Sequence, residues 1–332
     1  MHKIAIIGTG VAGLSCARVL ARAGVSVSLF DKGRGPGGRL STRRVECPYG
    51  PISFDHGAQY FTARDPHFKA EIAQLEALGF VARWPGRFLH MAQGGHTKSL
   101  SAEALYIGTP GMNALVRGLA RDLNPTWGQR VAGLIGEKGA WQLVFEDATQ
   151  SETYTHIICA VPAEQVGDLI GREAPSLKVL AQAVSSQPCW TGMFGFEAPL
   201  DLDWDLMRFE DHPVLDVVST SLHKPGRSGP PAYVVQARAD WSVAHLEAPA
   251  DVIAEALLEV LLSLSDATQK PLVSLAHRWR YARVDGQHGV GCAFDPESGI
   301  GVCGDWLSGP RIESAWQSGH ALGDKLLQEL TV

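Results

Sequence analysis

A chain of 332 residues with 45% hydrophobic side chains has apolar material for two domains. Its net charge of −6, with no basic stripe, argues against electrostatic binding to nucleic acid or to an anionic membrane surface. No apolar run approaches the roughly 18 residues that span a bilayer, and the six cysteines lack C-x-x-C spacing, which suits reduced thiols better than a disulfide frame or a metal site. The first strand begins at residue 3 or 4, which leaves no room for a secretory leader, so a soluble cytoplasmic protein is expected.

The apolar run at residues 4–7 predicts a buried parallel strand, and Gly8, Gly10 and Gly13 follow in G-x-G-x-x-G spacing. Residues 11–23 predict a helix with Leu14, Ala17, Leu20 and Ala21 on one face and Gly24 as its stop. A second strand at 25–30 ends in Asp31. Each part has a mechanical reason. Gly8 makes the tight turn, Gly10 lets backbone approach a pyrophosphate, and Gly13 lets helix and strand pack so that the helix N-terminus faces the phosphates. Asp31 stands where a carboxylate accepts hydrogen bonds from ribose hydroxyls. An acid there favours FAD or NAD over NADP. The bland alternative is a glycine-rich turn in an ordinary α/β core, but the complete strand–helix–strand–acid context points to an adenine dinucleotide.

The loop at 32–43, with Gly37, Gly38 and Arg39, suits close wrapping of a ligand while guanidinium groups reach phosphate oxygens. Residues 55–61 read as a turn into a short strand, 66–78 and 114–123 as helices, and 80–106 as short antiparallel strands. Strand-like pieces at 131–135, 141–145 and 154–160 suggest a meander. Beyond Pro162, strands at 191–196, 214–219 and 232–238 and a helix at 242–264 suggest a mixed second domain, and 272–283 a strand returning to the first. A final strand at 299–303, then Gly304-Asp305, leads into a helix at 311–327, with Pro310 suited to its first position.

The expected architecture is a parallel-sheet, Rossmann-like α/β domain with a meander, plus an α+β domain on a mixed antiparallel sheet. The dinucleotide domain would take 1–65, 108–163 and 272–332, and the substrate domain 66–107 and 164–271.

The pairing of the N-terminal motif with strand–Gly304-Asp305–helix resembles the flavoproteins of the amine-oxidase and glutathione-reductase-like group. That resemblance implies non-covalent FAD, its adenine half held by Gly8, Gly10, Val11, Ala12, Gly13, Asp31, Lys32 and Val131. Gly38, Arg39, His56, Gly57, Ala58 and Gln59 would follow along the cofactor, with Asp305 at the ribityl chain and Arg311 and Ile312 at the helix aimed at the flavin. The positive end of a helix there stabilises negative charge on the ring.

Within that group the sequence is most similar to bacterial renalase-type flavoproteins. The similarity lies in Gly37 to Arg43, Phe54 to Phe61, Gly108 to Met112, Ala160 to Gln165, His277 to Ala282 and Gly304-Asp305-Trp306. It implies an oxidase that moves hydride from 1,2- or 1,6-dihydro isomers of nicotinamide dinucleotides to flavin N5 and passes electrons to O2, giving NAD(P)+ and hydrogen peroxide. A dihydropyridine becomes aromatic on losing hydride, so the site needs a flat slot rather than a base. Trp279 and Tyr281 lie two apart on a predicted strand and share a face; with Gln59 they are the catalytic candidates. Tyr60, Trp190, Arg238 and His245 are candidates for substrate contact. An amine oxidase or carotenoid-type desaturase on the same fold, or a non-catalytic flavin sensor, are the rival readings. A flavin monooxygenase would need a second dinucleotide motif, which is missing.

Overall fold

The computed structural model describes residues 2–100, 103–265, 267–285 and 289–330. Two large sheets organise them. The first has six strands in the order Cys292–Asp295, Ile300–Cys303, His156–Cys159, Lys3–Ile7, Ser26–Asp31 and Thr126–Trp127. All neighbours are parallel except the first pair. Its central strands are apolar on both faces, as a doubly covered parallel sheet requires; Ile4, Ala5, Ile6, Ile157 and Ile158 are fully buried.

One face is covered by the helices Val11–Arg22 and Ile312–Leu330. Their contact is close because Gly319 faces Ala12: a Cβ on Gly319 would lie 1.9 Å from the Ala12 carbonyl oxygen. The other face carries the hairpin Val131–Ile135 with Gln142–Phe145 and the helix Ala163–Ile170. The first two strands of the expected meander form that hairpin. Tyr154 still bridges Trp141, but His156–Cys159 then enters the parallel sheet beside Lys3–Ile7, where four consecutive buried residues belong.

The second sheet has seven strands in the order Val273–Val284, Ser186–Gly195, Ala232–Ala237, Leu215–Thr220, Leu206–Phe209, Phe88–Met91 and Thr97–Ser99. Alternation along each strand sorts its residues. Trp190, Phe194 and Val235 pack with Ile253, Leu257 and Leu261 of the helix Ala250–Ser263. Met193 and Val234 face the other way and join Ile52 and Phe54 next to the dinucleotide domain.

The helix expected at 242–264 is two, Ala239–Ala244 and Ala250–Ser263. Pro249 lies between them; with no amide hydrogen and a ring that clashes with the preceding turn, it cannot continue a helix. The strand expected to return to the first domain is instead the edge of the second sheet. It meets the glycine loop only near its end, where Arg39 donates to the Ala282 carbonyl at 3.4 Å. We propose a dinucleotide domain of 1–65, 108–163 and 272–332 and a substrate domain of 66–107 and 164–271, with this edge strand tying 272–332 to both sheets. The C-terminal helix begins at Ile312, so Pro310 precedes it rather than occupying its first position.

Candidate flavin site

The glycine turn separates positions that backbone demands from one that stays open. Gly8 has φ of +100°, and a Cβ there would lie 2.5 Å from the Ala160 oxygen; one on Gly13 would lie 2.0 Å from the Gly8 oxygen. A Cβ on Gly10 would meet nothing within 4 Å. That open position, at the start of a helix whose first turn buries Val11 and Ala12, is the cradle a pyrophosphate needs. The Asp31 carboxylate accepts from the Thr9 amide and hydroxyl, both at 2.8 Å, and from the Gly33 amide at 2.7 Å. Lys32 Nζ donates to Gln165 Oε1 at 2.9 Å. The Gln129 amide bonds the Asp31 carbonyl at 2.9 Å, which brings buried Val131 to the same end of the sheet.

The two ends of the chain meet at Arg39 and Asp305. Gly38 opens the short turn Gly38–Leu40, and Arg39 forms a bidentate pair with buried Asp305 at 2.6 and 2.8 Å. The Asp305 charge raises the Arg39 pKa further. The Gly304 amide is held by Ser318 Oγ at 2.9 Å, so the helix itself fixes the Gly-Asp turn. Ile312 is the first residue of that helix. Arg311 pairs with buried Glu313, which accepts the Arg64 and Asp65 amides at 2.6 Å.

Between these ends lies the turn 55–59, held from every side. Asp55 accepts from Thr42 Oγ1 at 2.7 Å, the Met112 amide at 2.9 Å, Arg227 Nη2 at 2.6 Å and Lys224 Nζ at 3.5 Å. Burial pushes its pKa up, but Lys224 and Arg227 outweigh that and hold it at about 2. Burial takes Lys224 down to about 8, with Asp55 opposing. A Cβ on Gly57 would lie 1.9 Å from the Arg39 oxygen, and the Ala58 amide donates to that same oxygen at 2.9 Å. His56 is buried and held neutral, its pKa lowered to about 4 by burial and then by His277. Its Nδ1 has no partner among the described residues, an orphaned polar atom that fits a bound cofactor. The Trp279 ring stacks on His56 at 5.2 Å and its indole nitrogen donates to the His56 carbonyl at 2.8 Å. His277 stands edge-on to both rings.

Gln59 has a different place from the one expected. Its Nε2 donates to the Asp55 and Gly57 carbonyls, and its Oε1 accepts from Ser219 Oγ and Lys224 Nζ. Gln236 adds a second donor to the Gly57 carbonyl at 2.7 Å. At 4% exposure with its amide fully engaged, Gln59 braces the turn.

Trp279 pairs in register with Cys189, which has the parity of Thr191 and Met193, so this face of the second sheet looks toward the 55–59 turn. Tyr281 is 37% exposed. Tyr60 hydrogen-bonds Arg208, whose Nη2 lies 3.5 Å from Asp216, and Arg283 lies 3.8 Å from the other Asp216 oxygen. Arg208, Asp216 and Arg283 escaped the sequence reading because their meeting depends on which strands pair in the second sheet. Only the arginine-rich run at 278–283 hinted at them.

Trp190, Arg238 and His245 are not brought to this face. Trp190 is the neighbour of Thr191 and so points the opposite way, into the helix-covered core, where its indole donates to the His245 carbonyl at 2.9 Å. His245 stacks on Trp241 at 4.1 Å, and Arg238 pairs with Asp240. Arg278 and Arg280 hold Glu247, both at 2.8 Å.

A family described as an NAD(P)-binding Rossmann-like domain matches residues 6–75. Hydroxyneurosporene desaturase of Rubrivivax gelatinosus is 38% identical over 96 residues, covering 26% of this chain and only 18% of that protein's length. Likeness over the whole chain extends to a putative protoporphyrinogen oxidase from Exiguobacterium, with a TM-score of 0.76 at 12% identity over 99% of both chains, and to amine-oxidase structures. Cyclohexylamine oxidase from Brevibacterium oxydans matches with a TM-score of 0.73 at 12% identity over 100% of both chains. A triple mutant of putrescine oxidase matches with a TM-score of 0.76 at 13% identity over 99% of both. The fold is therefore that of the FAD-dependent amine oxidases. Together with the glycine cradle, these matches support FAD as the cofactor.

Proposed function

We propose that this chain is a renalase-like oxidase of misplaced-hydride nicotinamide dinucleotides, taking 1,2- or 1,6-dihydro isomers to NAD(P)+ and, with O2 and a proton, giving hydrogen peroxide. The observation that carries the reading is the charge near the register partner of Trp279: Asp216 and Arg283 act on Cys189, and Asp216 is shared by Arg208 and Arg283. Such a surround suits a phosphorylated substrate better than an ammonium ion. Bound FAD supplies the hydride acceptor and the route of electrons to O2.

The chain's own residues do the rest. Gly10 and the helix behind it would take the pyrophosphate, Asp31 the ribose, and Asp305 with Arg39 the middle of the cofactor. The N-terminal end of the helix Ile312–Leu330 would favour negative charge on the ring. His56, neutral at pH 7, would offer Nδ1 to the cofactor, and Trp279 with the half-exposed Tyr281 would wall the slot. Hydride loss from a dihydropyridine needs no base, so only orientation is asked of these groups.

An amine oxidase is the second reading, favoured by the whole-chain likeness to cyclohexylamine and putrescine oxidases. Anaerobic mixing separates the two. Borohydride-generated dihydronicotinamide isomers should bleach the flavin band near about 450 nm within seconds while monoamines leave it intact; bleaching by amines alone would reverse the assignment. A small-molecule substrate and O2 are the partners proposed, with neither nucleic acid nor membrane, in a cytoplasmic setting. Among the described residues no helix is long and apolar enough to cross a membrane, and all six cysteines are free.

A further inference from the structure

We propose that Arg208 and Arg283 form an anion site for the phosphate that adjoins the reacting nicotinamide riboside, with Asp216 as its built-in, displaceable occupant; this rests on the dihydronicotinamide reading above. Three observations converge on it. The first is geometry. The two arginines come from strands at well-separated places in the second sheet, Leu206–Phe209 and Val273–Val284, yet both reach one carboxylate. Leu215 packs into the helix-covered core, so alternation turns Asp216 to the opposite face of the sheet.

The second is the looseness of the cluster. Charge-assisted N–H···O bonds run at about 2.7–2.9 Å, and the site's other arginines meet that standard: Arg39 to Asp305 at 2.6 Å and Arg227 to Asp55 at 2.6 Å. Arg208 and Arg283 stand 3.5 and 3.8 Å from Asp216, with side chains 39% and 49% exposed. Two guanidinium groups share one distant carboxylate, so the three side chains together carry one net positive charge. Arg238, also near Asp216, is tied to Asp240 and adds no free donor fork.

The third is position. Cys189 is the register partner of Trp279, and both Asp216 and Arg283 act electrostatically on its thiol. The anion site is thus a neighbour of the aromatic wall, and Tyr60, next to the 55–59 turn in sequence, interacts with Arg208. A ring placed against Trp279 would have its attached phosphate within reach of the two arginines. The phosphate would take the guanidinium donors in place of Asp216, whose carboxylate would then turn to solvent.

The test uses the FAD-loaded enzyme with two substrates differing by one phosphate: a dihydronicotinamide riboside and its 5′-mononucleotide. In the parent chain kcat/KM should favour the mononucleotide by about tenfold or more, through KM. R208Q and R283Q should each shrink that ratio toward unity, and D216N should widen it. Because the ratio is taken within each variant, partial loss of folded enzyme cancels. A parent enzyme indifferent to the phosphate, or arginine variants that keep the full ratio, would overturn the site. Calorimetric titration with oxidised nicotinamide mononucleotide and riboside reads the same preference without turnover. If neither dihydro substrate reacted while mononucleotide still bound and R283Q abolished the preference, the anion site would stand and the oxidase reading would fall.

Discussion

A single methyl group tests the nucleotide turn. Gly13→Ala would put a Cβ 2.0 Å from the Gly8 oxygen, which the backbone must move to admit, so the variant should purify with most of its FAD lost. The ratio of flavin to protein absorbance measures this, and full FAD content in the variant would contradict the turn's assignment. The buried trio Asp55, Lys224 and Arg227 makes a prediction about pH. Asp55 sits at about 2, below its ordinary 3.8, so it stabilises the fold above pH 3.8 and that contribution fades as pH falls toward 2. Lys224 runs the other way. Its folded value of about 8 lies below the ordinary 10.5, so the folded chain gives up this proton first and stability gains as pH climbs from 8 to 10.5. Urea midpoints of the parent should therefore rise relative to K224M across that window; parallel profiles would refute it. Asp55→Asn leaves two buried cations without their carboxylate and should cost about 3–5 kcal/mol in the same assay.

Between elements, the contact that matters most is the crossing of the first and last helices. It brings Gly304-Asp305 to Arg39, and it is close because Gly319 lies against Ala12 while Ser15 Oγ donates to the Trp316 carbonyl at 2.8 Å. Gly319→Ala, whose Cβ would sit 1.9 Å from the Ala12 oxygen, should cost about 1–3 kcal/mol and loosen FAD. A melting curve and the FAD content of the same sample check both; an unchanged melting temperature would show that the helices have slack there. The split of the expected 242–264 helix is an element-scale lesson of its own. Apolar periodicity continued through Leu246 and Val252, but Pro249 at its middle outranked it.

At the scale of the molecule, a dinucleotide lying from the glycine cradle to Asp305 would bridge both ends of the chain, and ligand binding to the folded state alone adds stability by mass action. Stripped protein given FAD at about a thousand times its Kd should gain roughly 4 kcal/mol, seen as a rise in melting temperature. No rise would remove FAD from the account. The nucleotide half of this arrangement was legible in the sequence because its parts are adjacent: strand, glycines, helix, strand and acid fall within 31 residues, and local sterics dictate each. The face of Trp279 was legible as well, since alternation put Trp279 on one face and Arg278 on the other.

What the tertiary structure alone decided was which side chains are spent and which are available. Gln59 reads as a contact until Ser219 and Lys224 are found on its amide. Trp190 reads as an aromatic of the site until the sheet's packing turns it into the core. Arg208, Asp216 and Arg283 are unremarkable until the pairing of neighbouring strands brings Arg208 to Asp216 and the sheet brings Arg283 to the same carboxylate. Backbone geometry is written by neighbours along the chain; the partners of the buried Gln59 amide oxygen come from residues more than a hundred positions away, and only folding chooses them.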